Sequence, residues 1–205
     1  MSHAPSSWAT DRFGRLAGEL VHRVPEALAA TVAHATEAHH ASTLKTKHAF
    51  GSTRWALQYD ELCKHLRGLD EVSEVRPPRA FFRLVVAAGN LLLPWRYAED
   101  HTISLDDARA VRTMRLLTRE LLTRFGPAPR WRQDPLFDVE DDDDAQDVAG
   151  ISDALEEFDP PPRPVLIAYA CNPTDGLLDL HWGEASLSDG SILHWAYREA
   201  LPLTP

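Results

Sequence analysis

Cysteine is scarce in this chain: the 205 residues include only Cys63 and Cys171, far apart and at no metal-ligand spacing. That excludes a disulfide framework or zinc ribbon and predicts two reduced thiols. Long apolar runs are missing too, the longest being Val165 to Cys171, against the roughly 20 residues a membrane helix needs. The first ten residues lack a basic segment before an apolar core, so no signal peptide is expected and the predicted location is cytoplasmic, with no membrane partner. Catalytic signatures are equally thin. There is no Gly-x-Ser-x-Gly elbow, Walker loop, Gly-x-Gly-x-x-Gly turn or Ser-His-Asp order, so nucleotide hydrolysis and esterase chemistry have no support and no cofactor is expected. Lysine is limited to Lys45, Lys47 and Lys64, leaving arginine to carry the positive charge.

What is present suits one folded domain over 1–205. Hydrophobic residues make up 44% and charged residues 25%, and a chain of this length buries about 70% of its unfolded surface. Apolar residues at Phe13, Leu16, Ala17, Leu20, Val21 and Val24 keep a helical period. Pro25 is expected to interrupt that helix and open a second, Ala-rich one reaching about His40. A third is predicted from about Thr53 to Arg67, with Trp55, Tyr59, Leu62, Cys63 and Leu66 on one face and Gly68 as its stop.

Beyond Pro77-Pro78, the runs Phe81 to Ala88 and Leu91 to Tyr97 read as a hairpin turning at Gly89-Asn90, with Pro94 placing the second strand at an edge or ending it. Ser104 and Asp107 resemble a capping box opening a long helix from Leu105 to Phe125, closed by Gly126-Pro127. Val165 to Cys171, Leu177 to about Ser186 and Ser191 to about Ala200 predict a three-strand antiparallel meander. The fold class is therefore α+β: an antiparallel sheet of hairpin and meander, with helices on one face.

Between Asp138 and Asp159 stand eleven acidic residues and no basic one, followed by Pro160, Pro161 and Pro162. Residues 138–163 are expected to form a mobile acidic loop, with one amphipathic turn around Ile151, Leu155 and Phe158. Charge is segregated along the chain. Residues 1–134 hold 19 basic and 15 acidic residues, net +4, and residues 135–205 hold 2 and 16, net −14.

Three sets of residues carry candidate function. Arg76, Arg79, Arg83 and Arg96 around the hairpin, with Arg109, Arg112, Arg115 and Arg119 along the predicted helix, offer planar forks for phosphate or carboxylate; a solvated face is the simpler reading. A two-residue turn at Asp189-Gly190 would set Trp182 opposite Tyr197, Glu184 opposite Trp195 and His181 opposite Arg198. His181, His194 and Arg198 with Asp179 would then share one face as a possible acid-base or anion site, and Trp182, Trp195 and Tyr197 the other. The pairs Glu19/His22 and Glu37/His40 match a di-metal spacing, but Glu19 and His22 point away from the apolar stripe of their helix and such a site needs two further carboxylates on two more long helices, so no metal site is expected.

These features favour a non-enzymatic adaptor or accessory subunit of a bacterial cytoplasmic system, working through a protein partner by way of exposed aromatics at Trp95, Trp131, Trp182, Trp195 and Tyr197. The alternatives are a nucleic-acid-binding protein restrained by its own acidic segment, and an enzyme using the Asp179, His181, His194 and Arg198 set.

Overall fold

The computed structural model describes residues 4–43, 46–76, 80–107, 110–127, 151–188 and 192–203. Arg79, Arg109, Trp131 and the acidic run Asp138 to Asp147 lie outside them.

The fold is α+β, built on one six-stranded sheet whose strands follow chain order: β1 (Val72–Val75), β2 (Leu84–Ala87), β3 (Asn90–Ala98), β4 (Arg163–Asn172), β5 (Gly176–Ser188) and β6 (Ile192–Ala200). The sheet is mixed, because β3 and β4 run parallel while every other pair is antiparallel. A parallel pair requires a crossover. Here the crossover carries α4 (Leu116–Phe125) and a short helix over 151–156, so what reads as hairpin plus meander is joined by one parallel seam.

Helices cover both faces rather than one. On the first face α1 (Ser7–Phe13), α2 (Ala17–Ala41) and α3 (His48–Leu66) bury Phe13, Leu20, Val24, Leu28 and Leu62 against Val85, Leu92, Val165, Ile167, Tyr169 and Trp182. On the second face Val111, Leu121, Leu122, Ile151 and Leu155 meet Val86, Leu91, Leu93, Trp95, Leu166 and Ala168. Successive residues of β2, β3 and β4 alternate between the two cores. This is why their sequences are apolar at almost every position, since a strand covered on both sides has no solvent face.

Several local expectations give way to packing. α2 runs unbroken through Pro25, a buried residue, because Leu20, Val21 and Val24 before it and Leu28 and Val32 after it form one stripe on the same core. That burial offsets the lost backbone hydrogen bond. α1 is a separate short helix, capped by the Ser6 side chain accepting from the Ala9 amide at 3.0 Å. α3 begins at His48, earlier than Thr53, and Ser52 Oγ, inside the helix, donates back to the His48 carbonyl at 3.0 Å. Leu105 to Phe125 is not one helix: a turn at Ser104 to Asp107 and a 3-10 turn (Ala110–Thr113) precede α4. Ser104 Oγ still accepts from the Asp106 amide at 3.3 Å, but it closes a turn.

The β2–β3 turn is Ala88-Gly89, both with positive φ, and Asn90 is the first ladder residue, opposite Ala87. Asn90 Nδ2 donates to the Ala88 carbonyl at 2.9 Å and to the Arg12 carbonyl at 2.9 Å. β3 is an interior strand, not an edge. It pairs with β2 only as far as Leu92, however, and beyond that point it is flanked by β4 alone. Pro94, opposite Ile167, thus sits where one side of β3 has no strand beside it, and its missing amide breaks no antiparallel ladder.

Candidate functional site

The stretch of β3 left uncovered by β2 forms one wall of a small cleft. Pro94, Trp95 and Arg96 supply that wall, α3 supplies Arg54, Trp55, Gln58 and Tyr59, and the start of α4 with the preceding turn supplies Thr113, Arg115, Leu117 and Thr118; the cleft measures about 40 Å³. Three guanidinium groups line it.

Arg54 reaches the buried Tyr169 on β4. It donates to the Tyr169 hydroxyl at 2.6 Å, and that hydroxyl donates to Gln58 Oε1 at 2.7 Å. Arg54 Nε is buried and has no hydrogen-bond partner. Burial opposes the charge on Arg54, yet Tyr169 and Cys171 beside it raise its pKa above the ordinary value. Desolvation pushes the Tyr169 phenol up to about 12 against the opposing field of Arg54, and pushes Tyr59 up as well. Both phenols therefore stay neutral donors near neutral pH.

Arg96 pairs with Glu99, and Lys47 binds the same carboxylate at 2.7 Å. Arg115, at the foot of α4, lies over the Trp55 ring at 4.4 Å from its centroid. Trp55 meets Phe81 edge-on at 5.0 Å, and Phe81 stacks edgewise on Phe82 at 5.4 Å. Phe81 precedes β2 instead of opening it and is 62% exposed.

The proposed arginine stripe divides accordingly. Arg96 and Arg115 meet at this cleft with Arg54, while Arg83 pairs with Glu74 at 2.7 Å on the β1 edge and Arg76 is exposed nearby. Arg112 is exposed on the 3-10 turn, and Arg119 donates to the Val111 carbonyl at 3.2 Å. Helical spacing grouped the arginines on the premise of one continuous helix, which the turn before α4 removes. Arg54 escaped the sequence reading because it stands one residue before the apolar stripe of α3. The signal available was its four-residue spacing from Gln58, which puts both polar groups on one helix face.

The C-terminal hairpin does not gather His181, His194, Arg198 and Asp179. The observed pairs are Ser188 with Ile192, Ser186 with His194, Ala185 with Trp195, Glu184 with Tyr197, Gly183 with Arg198 and Trp182 with Glu199. The register is one residue out near the turn and two beyond Ala196, where β6 bulges. On the α4 side His181 contacts the Asp179 carboxylate at 3.0 Å, and Tyr97 donates to Asp179 at 2.6 Å. Burial and that hydrogen bond raise the Tyr97 pKa. Arg198 instead pairs with Asp106 at 2.9 Å, and His194 lies on the opposite side, where it contacts Ser188 Oγ at 3.0 Å.

The aromatics expected at an exposed surface are largely internal. Trp182 is 0% and Trp95 3% exposed, while Trp195 and Tyr197 are half-buried. Trp182 stacks on Phe13 at 5.1 Å, and Tyr197 stacks on Trp8 at 4.7 Å. Among the described residues no group of three or more His, Cys, Asp or Glu converges as metal ligands; Glu19 pairs with Arg23 at 2.8 Å. No helix among the described residues is long and apolar enough to cross a membrane. No protein-family model, curated protein sequence or solved structure matches this chain.

Proposed function

We propose that this protein acts through contacts, as a non-enzymatic adaptor or accessory subunit of a bacterial cytoplasmic multi-component system, and that the partner docks on the surface around Phe81, Trp55 and Arg115. The observation that carries the reading is the Phe81 ring, 62% exposed and braced edge-on by Trp55, whose own face is covered by Arg115. A large ring kept in water by a rigid aromatic bracket costs solvation free energy that a partner would recover on binding. Aromatic and arginine side chains are also the types that dominate binding energy when a partner covers them. The matching chemistry is a polypeptide presenting an apolar anchor beside an acidic group.

The experiment is purification of the tagged full chain from its native extract, in parallel with Phe81→Ser, a change at an exposed position that leaves the core intact. A stoichiometric protein recovered with the wild type and lost with the variant supports the reading. A wild-type chain recovered alone overturns it. Recovery of nucleic acid in place of protein would transfer the same rings and arginines to base stacking and phosphate contact.

A further inference from the structure

We infer that the cleft along the uncovered stretch of β3 is a binding site for a phosphate group, held by Arg54, Arg96 and Arg115. The inference concerns a ligand of the cleft itself and goes beyond the docking reading of the neighbouring rings.

Arg54 supplies the first argument. A guanidinium withdrawn from water is costly unless a counter-charge and hydrogen-bond acceptors replace the solvent. Its contacts in this fold are the neutral Tyr169 hydroxyl at 2.6 Å and a long approach to Gln58 Oε1 at 3.4 Å, while its Nε is buried without an acceptor. No carboxylate pairs with it among the described residues. The fold thus keeps a positive charge in the lining of an open cleft with no carboxylate beside it among the described residues.

The second argument is charge balance. Arg115 has the face of Trp55 but no carboxylate among the described residues, and Arg96 shares Glu99 with Lys47. Three lining guanidinium groups therefore face one carboxylate, an excess that suits a dianionic phosphate better than a singly charged carboxylate. The fields of these groups overlap: Arg54 and Arg96 both lower the pKa of Tyr169, and Arg115 and Arg54 both lower that of Tyr59, against the larger effect of burial.

The third argument is size and lining. At about 40 Å³ the cleft has room for a small oxyanion, since each water-sized group needs roughly 10–15 Å³. Thr118 and Tyr59 add hydroxyls at the wall.

The test is isothermal titration of the full chain with inorganic phosphate at constant ionic strength, with acetate as the monoanion control. Saturable binding of one phosphate per chain, absent with acetate, is expected. Arg115→Ala, an exposed position, should weaken it at least about tenfold, the loss of one charge-assisted contact. Arg112→Ala, at an exposed arginine that does not line the cleft, should leave it unchanged. Arg54→Gln should abolish it; if that variant fails to fold, Arg115→Ala decides. Absence of saturable binding, or binding indifferent to Arg115→Ala, overturns the inference.

A second titration with a capped phosphotyrosine separates the sources. Tighter binding than inorganic phosphate assigns the group to a phosphorylated side chain reaching over Trp55, and equal or weaker binding assigns it to free phosphate. The docking surface fails or stands by a separate readout, loss of the partner in Phe81→Ser.

Discussion

Trp195 and Tyr197 stand two residues apart on β6 and face opposite sides of the sheet. Trp195, opposite Ala185, packs toward the α4 core, while Tyr197, opposite Glu184, stacks on Trp8 of α1. In a regular strand such residues share a face; the extra residue Ala196 inserted into β6 reverses the alternation. The same bulge parts His194 from Arg198. It also aims Glu199 at the first core, where its carboxylate accepts from Trp182 Nε1 at 2.7 Å, Ser6 Oγ at 2.9 Å and Tyr197 Oη at 3.0 Å.

Deleting Ala196 should therefore be far more damaging than replacing it. A regular ladder would turn Tyr197 and Glu199 away from Trp8 and Trp182. In urea denaturation the deletion should lose the cooperative transition or lower its midpoint strongly. Ala196→Ser, at an exposed position, should stay within about 0.5 kcal/mol of wild type.

Glu199→Ala should cost about 1–3 kcal/mol, because it leaves the fully buried Trp182 with an unpaired indole N–H and frees Ser6 at the start of α1. Tryptophan fluorescence during denaturation reads both the loss and the changed indole environment. An unchanged midpoint would show that α1 is held by its rings and by the Arg12–Glu184 ion pair alone.

Neither thiol should react in the native protein. Cys63 and Cys171 are buried, and desolvation pushes their pKa values up to about 12 and about 11, so the thiolate fraction at pH 8 is negligible. A thiol-disulfide exchange dye should find no reactive group at pH 8 and two in denaturant.

Acid should weaken the fold through Glu74 and Glu99. Burial works against the charge on Glu74, but the hydrogen bonds from Arg83 and Arg67 outweigh it and hold its pKa below the ordinary value. Glu99 is lowered by the hydrogen bond from Lys47, with Arg96 adding to it. A carboxyl depressed on folding contributes stability above its unfolded pKa of about 4.3 and loses it as pH falls through the lower folded value. The melting temperature should fall below about pH 4.3, and Glu74→Gln should show a shallower acid slope than wild type.

The acidic run offers a test by charge alone. Asp141→Asn through Asp144→Asn together should raise affinity for a labelled oligonucleotide at low salt if the segment competes with nucleic acid for the arginines; unchanged binding would remove that competition. A deletion reaching Asp159 would confound the result, because Ile151 and Leu155, buried at 1% and 0% exposure, belong to the second core.

The sequence by itself determined the fold class, the helical stripes of α2 and α3, and the strands β4 to β6, because these depend on residue periodicity over short distances. Within β4 the apolar residues fall on both faces, as a strand covered on both sides requires. What only the tertiary structure decided turns on partners distant in the chain. Pro25 remains inside α2 because a continuous core stripe outweighs one missing amide. Pro94 fits an interior strand because β2 stops short of it. β1, with only four residues and a positive φ at Glu71 before it, carried too little periodicity to be seen. The cleft arises between elements: Arg54, Arg96 and Arg115 stand on separate parts of the chain, and they line one cleft because the β2 pairing stops at Leu92 and the chain turns before α4. Local spacing is blind to such a meeting, because the energy that creates it is packing between elements far apart in sequence.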